Sequence, residues 1–197
     1  MDFFLPKRLR SLAIFTAVYM IISGIQARNT GNQEFVFYLL VLIILAALIF
    51  LVDRRVCLPL ALLWGLSVWG LLHMMGGMIV LPGESEVLYN YWLLPGFLRY
   101  DQLVHAYGFG LATWACWRCL GAIQPALKAT PGTLLLVMLA GLGLGAVNET
   151  IEFFATLFLP DTNVGDYANT GWDLVFNLIG SLIAIVAIHS RHRGDLS

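Results

Sequence analysis

Six long apolar segments constrain this chain more than any other feature of its sequence. Each is close to the roughly 20 residues that an α-helix needs to cross a bilayer. The composition agrees, because 59% of the residues are hydrophobic and only 12% are charged, whereas soluble domains are about 25% charged. The segments are predicted at about Leu9–Ala27, Phe35–Val52, Leu58–Leu81, Gln102–Leu120, Thr133–Leu159 and Trp172–Ser190. We therefore expect an all-α, polytopic membrane protein, a six-transmembrane-helix bundle in which residues 1–197 form a single domain.

The distribution of basic residues predicts the orientation of this bundle. If the N-terminus is cytoplasmic, nine of the 11 Lys and Arg residues, among them Arg193, fall on the cytoplasmic side, and only Arg28 and Arg99 fall outside. Such a bias follows the positive-inside rule. We expect both termini to be cytoplasmic in a bacterial inner membrane, with the first segment retained as a span and not cleaved as a signal peptide. The basic residues form no long tract, so no nucleic-acid partner is expected.

The fifth segment carries two carboxylates in an otherwise apolar run. In "GAVNETIEFFATLF", Glu149 and Glu152 lie about one helical turn apart, and Asn148 shares their face. A charged side chain at the centre of a membrane helix costs roughly 2.5–3.5 kcal/mol on insertion scales. Two neighbouring acids also repel each other unless a cation, a shared proton or a base lies close by. The pair therefore indicates a functional site.

Three other segments place polar residues at a similar depth in the outer half of the membrane. The fourth segment opens with "RYDQLVH", in which Asp101 and His105 are four residues apart on one helix face. The sixth repeats this spacing with Asp173 and Asn177 in "WDLVFNLIG", and the third holds His73. Because intramembrane ionisable groups usually face the interior of a bundle, we expect side chains from all four segments to converge in one polar pocket.

Histidines and carboxylates gathered in this way fit three kinds of site. They suit a divalent transition metal such as Zn, Fe or Mn better than Mg or Ca, whose ligands are mainly oxygens. They also suit general acid–base catalysis, or a structural hydrogen-bond network. No nucleotide cofactor is expected, because "GLGLG" at 141–145 lies in a membrane span with no preceding strand. For a metal-assisted site we predict the metal ligands His73, His105, Glu152 and Asp173, the base Glu149, and the orienting residues Asp101 and Asn177.

The connection between the third and fourth segments is unusually aromatic. "VLYNYWLLPGFLRY", residues 87–100, is too apolar for a free loop and too short to cross the membrane twice. Tyr and Trp side chains are enriched at membrane interfaces. We predict a short interfacial segment here, part of it a helix that lies on the outer surface and covers the site.

Three motifs in the second half of the chain resemble a known family. The order "RYDQLVH", "NETIEFF", "WDLVFNLIG" is similar to that of the YjdF-like bacterial inner-membrane proteins. More distantly it resembles the VanZ-like membrane proteins, which are associated with glycopeptide-type antibiotic resistance. The resemblance implies a small polytopic membrane protein with an envelope role. It places these positions at the centre of the protein: Asp101, His105, Glu149, Glu152, Asp173 and Asn177.

Three hypotheses for the function remain open: an enzyme, a carrier or binding protein, and a structural subunit. The first is a membrane-embedded enzyme, facing outward, that acts on a lipid or a lipid-linked cell-envelope substrate. The second is a carrier or binding protein that couples a proton or a cation to a small solute. Transport usually needs polar groups in both halves of the membrane, and the strongly polar residues here stop at mid-depth. The third is a scaffold subunit of a membrane complex. The sequence favours the enzyme, with membrane lipids as its surroundings.

Overall fold

The computed structural model describes residues 6–192 and contains six α-helices within that range. The helices are α1 (Arg10–Thr30), α2 (Gln33–Val56), α3 (Leu60–Met78), α4 (Tyr100–Ile123), α5 (Pro131–Phe158) and α6 (Tyr167–Arg191). The six predicted segments are confirmed, with their ends shifted by a few residues. Arg193, which entered the orientation argument, lies outside the described residues.

Local signals explain where most of these helices begin and end. Asn32 accepts a hydrogen bond from the backbone N–H of Phe35 at the start of α2, and Asp166 accepts one from Asn169 at the start of α6. Short polar side chains stabilise helix starts in this way, because the first N–H groups have no partner within the helix. Gly31 ends α1 with φ at 68°, a left-handed conformation that glycine adopts without steric cost.

The central helix of the bundle is α4, which packs against α3, α5 and α6. Of the helices in the described part of the chain, five are long and apolar enough to cross a membrane, and α4 is the one that falls short in hydropathy. Its 24 residues still span roughly 36 Å at 1.5 Å per residue. A helix surrounded by other helices can carry polar residues on its buried faces, so we interpret α4 as the sixth span.

Small residues bring α4, α5 and α6 close together. A Cβ atom added to Gly180 of α6 would overlap the backbone oxygen of Ala106 in α4. Gly141 and Gly145 of α5 leave similar room for Thr113 of α4 and Asn177 of α6. In lipid, where no hydrophobic force drives helices together, such close contacts supply much of the packing energy. Gly143, between Gly141 and Gly145 in the chain, has nothing within 4 Å of the position of a Cβ atom and takes no part in this contact.

The start of α1 and the end of α6 lie at the same end of the bundle, as six spans require. There Leu9 packs with Leu58 and Leu62, and the rings of Trp117 and His192 meet at 5.3 Å. The other end holds the α3–α4 connection and the α5–α6 loop. We name it the outer end, following the expected orientation.

The outer connection between α3 and α4 contains a β-hairpin and a single 3-10 turn, and no α-helix that lies on the surface. A single 3-10 turn, Leu88–Asn90, precedes two short antiparallel strands, β1 (Trp92–Leu94) and β2 (Leu98–Arg99). Gly96 forms the turn with φ at 71°. The Arg99 guanidinium stacks over the Trp92 ring, 4.7 Å from its centroid. A short helix was expected here, but Trp92 and Phe97 flank the turn pair Pro95–Gly96, and aromatic residues on either side of such a pair also fit a hairpin.

An ion pair joins the segment just before α1 to the end of α2. Arg8 donates to both carboxylate oxygens of Asp53, at 2.5 and 2.6 Å, and Asp53 also accepts from the Leu58 N–H. The Asp53 side chain is 2% exposed, whereas Arg8 is 35% exposed. We expect Arg8→Ala to lower the free energy of unfolding by about 1–3 kcal/mol, because the buried Asp53 carboxylate loses its strongest hydrogen-bond partner. Thermal unfolding in detergent measures this, with the exposed Arg10→Ala as a control that should change little.

Candidate functional site: a buried His–carboxylate cluster

Polar side chains from α4, α5 and α6 converge near the outer end of the bundle. His105 of α4 lies at the centre and is 6% exposed, while Asp173 and Asn177 of α6 are 1% and 0% exposed. The Glu149 side chain of α5 is 9% exposed. The predicted convergence is therefore present for three of the four helices. It comes from the i, i+4 pairs on α4 and α6 facing each other across their glycine contact.

The two ring nitrogens of His105 face different groups. Nδ1 lies 3.0 Å from Asn177 Oδ1 and 3.8 Å from Glu149 Oε1. Nε2 lies 3.5 Å from Asp101 Oδ1 and 3.9 Å from Asp173 Oδ1. Because an amide oxygen can only accept, the contact with Asn177 places a proton on Nδ1. In a neutral imidazole the Nε2 lone pair then points toward the two aspartates.

Asparagines hold two of the carboxylates in place. Asn169 Nδ2 donates to Asp173 Oδ2 at 2.8 Å, and Asn148 Nδ2 donates to Glu152 Oε1 at 2.7 Å. Sequence reasoning noted Asn148 but missed Asn169. Its position four residues before Asp173, on the same helix face, was the available signal.

Several buried polar atoms in the cluster have no hydrogen-bond partner among residues 6–192. They include both carboxylate oxygens of Glu149, Asp173 Oδ1 and Asn177 Nδ2. Leaving a buried polar group unpaired costs roughly 1–3 kcal/mol, and more when the group is charged. Most of these atoms surround His105, so a cation or protons in this space would satisfy them together.

Two overlapping sets of side chains have the spacing of metal ligands. Asp101, His105 and Asp173 form one set, and His105, Glu149 and Glu152 form the other. In each set one potential ligand atom per residue lies within 4.8 Å of the others. Imidazole with carboxylates suits Zn, Fe or Mn. Asp173 fits the role of a ligand well, because Asn169 occupies one of its oxygens and leaves the other directed at His105 Nε2.

His73 of α3, which was predicted to be a metal ligand, lies outside both sets. Its Nδ1 is 2.5 Å from the Tyr89 hydroxyl, which also donates to the His73 carbonyl at 2.8 Å. Burial raises the pKa of Tyr89 well above its usual value, so the phenol stays protonated as a donor. The rings of Tyr89 and Phe35 occupy the space beside Gly76 and Gly77. His73 does share a small cavity of about 30 Å³ with Asn148, which places it beside the cluster.

A further buried carboxylate near the outer end, outside the cluster, was missed by the sequence reasoning. Glu34 at the start of α2 is 3% exposed. It accepts hydrogen bonds from the backbone and the side chain of Asn163 in the α5–α6 loop, between 2.8 and 3.1 Å. The two residues are 129 positions apart, so no local pattern could reveal the contact. It fixes the loop that precedes Asn169 and Asp173.

The fold and the cluster together define a class of protein. This is a multi-pass α-helical membrane protein with a buried His–carboxylate site in the outer half of its bundle. The chain belongs to the DUF2238 family, described as a predicted membrane protein, which matches residues 8–194. That membership is consistent with the resemblance to the YjdF-like membrane proteins, whereas the link to the VanZ-like proteins stays a resemblance. No curated protein and no solved structure matches the chain.

Proposed function

We propose that the cluster binds one divalent transition metal ion, and that the protein is a membrane-embedded enzyme of the bacterial inner membrane. The single observation that carries the proposal is the unpaired Asp173 Oδ1, facing His105 Nε2 and Asp101 inside a buried site. If they were all ionised, four carboxylates grouped around one histidine in a low-dielectric interior would repel each other strongly. A divalent cation would remove that repulsion and satisfy the unpaired oxygens.

The geometry supports a revised set of ligands. His105, Asp101 and Asp173 would hold the metal, since their potential ligand atoms form one compact set. Asn177 accepts from His105 Nδ1–H and so fixes the ring tautomer, the usual task of a residue behind a metal-bound histidine. Asp101 therefore changes from an orienting residue to a ligand. Three protein ligands and an open position are typical of catalytic zinc sites.

Glu149 would act as the general base, as predicted. Both of its oxygens are buried and unpaired among the described residues, and Oε1 lies 3.8 Å from His105 Nδ1. Glu149 lies on the Nδ1 side of the ring and the metal would lie on the Nε2 side, so the base would act through a water between them; general-base catalysis can contribute about 10²–10⁴-fold to a rate. Glu152 would then orient Asn148 and balance charge, which differs from the ligand role predicted for it.

The part of the bundle below the cluster supports an enzyme over a carrier. Phe109 packs against the His105 ring on the inner side and is 2% exposed. One turn further, Thr113 and Ser181 are hydrogen-bonded to each other and both are 0% exposed. A site closed on its inner side fits a reaction at the outer leaflet better than a path across the membrane.

The surroundings of the cluster favour a lipid or lipid-linked substrate. Phe153 and Trp172, the chain neighbours of Glu152 and Asp173, are 57% and 56% exposed, and Tyr167 is 94% exposed. Exposed aromatic side chains at this depth contact the interface of the outer leaflet. A substrate with an apolar tail would reach the cluster along this surface.

Comparison of membrane lipids in matched strains tests the enzymatic function. We expect a lipid or lipid-linked species to change when the chromosomal copy is deleted, and to return with the wild-type protein. With Glu149→Gln the lipid species should be restored at a rate at least about 100-fold lower, because the general base is lost. The variant protein should still bind its metal. Glu84→Gln, in the exposed outer loop, serves as the control. Identical lipid profiles in all strains would refute the enzymatic role.

A further inference from the structure

A groove on the membrane-facing surface lies apart from the polar cluster. It runs between α4 and α6 from the inner end of the bundle up to the level of Leu103, and has a volume of about 670 Å³. Specific ligand sites usually measure about 300–1,000 Å³. Its floor includes Gly110 and Gly180, where the two helices touch. Its walls are apolar, and Leu103 and Ile183 are 47% and 63% exposed.

The groove matches one leaflet of a bilayer along α6, whereas its α4 wall is longer, roughly 22 Å from Arg118 to Leu103 at 1.5 Å per residue. On α6 the lining extends from Gly180 to Arg191, which is roughly 16 Å at 1.5 Å per residue. Half of the hydrocarbon core measures about 15 Å. An acyl chain lying along the α6 wall would therefore reach from the membrane surface to about the midplane, at Gly180.

Basic side chains line the groove where it meets the membrane surface. Arg118 near the end of α4 and Arg191 at the end of α6 are exposed, and His192 follows directly. His192 is held by the Ile188 carbonyl and by the Trp117 ring. Neither arginine has an ion-pair partner within the described range 6–192. This end of the groove is therefore positively charged and lacks a counter-charge among residues 6–192.

We propose that this groove binds one anionic phospholipid, with its acyl chain between α4 and α6 and its phosphate between Arg118 and Arg191. Basic pockets between membrane helices on the cytoplasmic side attract anionic headgroups, and the expected orientation places this end there. The charge argues against a second copy of the chain as the occupant, because a copy would bring the same arginines to the same surface. The lipid would stabilise the α4–α6 contact from the side opposite the cluster.

Native mass spectrometry of the purified protein tests this proposal. The probes are phosphatidylglycerol and phosphatidylcholine with identical acyl chains. We expect one phosphatidylglycerol to remain bound to the wild type in clear preference to phosphatidylcholine. The double variant Arg118→Gln/Arg191→Gln should lower that preference by roughly tenfold or more. The control Arg55→Gln/Lys128→Gln removes the same charge from exposed positions at the same end of the bundle, outside the groove. It should keep the preference for phosphatidylglycerol.

A second variant separates the groove from the charge. Ala187→Trp fills the groove from α6 and leaves the arginines in place, so retention of both lipids should fall. Only variants whose unfolding temperature equals that of the wild type are compared, so that misfolding is excluded as the cause of lost lipid binding. Equal binding of the two lipids by the wild type, or equal loss in both double variants, would overturn the proposal.

Discussion

Replacing Asp173 with asparagine is expected to lower the bound transition metal by at least about tenfold to a hundredfold, the range already seen when only a residue behind a ligand is changed. Asparagine has nearly the same shape, so the fold should persist. The substitution replaces the anionic Oδ1, which faces His105 Nε2 at 3.9 Å, with a neutral amide group, which is a poor metal ligand. Elemental analysis of the purified protein measures the metal content directly.

Thermal unfolding gives a second measure of the same site. A metal at 100 times its dissociation constant stabilises the folded state by about 2.7 kcal/mol. We expect Zn, Mn or Fe to raise the unfolding temperature of the wild type but not of Asp173→Asn. Asp161→Asn removes an exposed carboxylate from the α5–α6 loop, and this variant should behave as the wild type. If none of these metals binds the wild type, the cluster is a hydrogen-bonded network, and Asp173→Asn should then be neutral or stabilising.

Gly180→Ala is expected to have the largest effect on stability. The new Cβ would overlap the backbone oxygen of Ala106, and backbone atoms cannot move aside as the end of a flexible side chain can. Overpacking of this kind costs typically 1–3 kcal/mol, and occasionally more. It would also separate α6 from α4, so we expect the variant to lose metal as well as stability.

A second glycine provides the matched control for that experiment. Gly143 of α5 has no atom within 4 Å of the position of a Cβ. Gly143→Ala should therefore be neutral, or stabilising by up to about 1 kcal/mol, because alanine favours helices more than glycine does. Denaturant or thermal unfolding in detergent compares the two variants. Equal stability of both would show that the α4–α6 contact is looser than the structure has it.

Much of the candidate site followed from spacing within single helices. Asp101 with His105, and Asp173 with Asn177, share a face whatever surrounds them, since four residues make about one helical turn. Glu149 and Glu152 drew attention because acids are costly in lipid. The depth of each residue followed from the order of the spans. These are local properties, so the sequence alone could supply them.

Contacts between distant segments could not be read in the same way. His73 lies on α3 near the same depth, yet Tyr89 from the outer connection occupies its Nδ1. The pairing of Glu34 with Asn163 joins α2 to the α5–α6 loop. Aromatic residues in the outer connection were recognised, but their hairpin was not, because a short apolar run fits a helix or a strand.

The sequence by itself determined that this membrane protein is built from six long helices and that acids lie near the outer end of three of them. Apolar length and the cost of charge in hydrocarbon are sufficient for those conclusions. Only the tertiary structure decided which faces meet. The rotation of each helix is set by the close approach of Gly180 to Ala106 and of Gly145 to Asn177. Such packing depends on shape across helices, which no periodicity within one helix records.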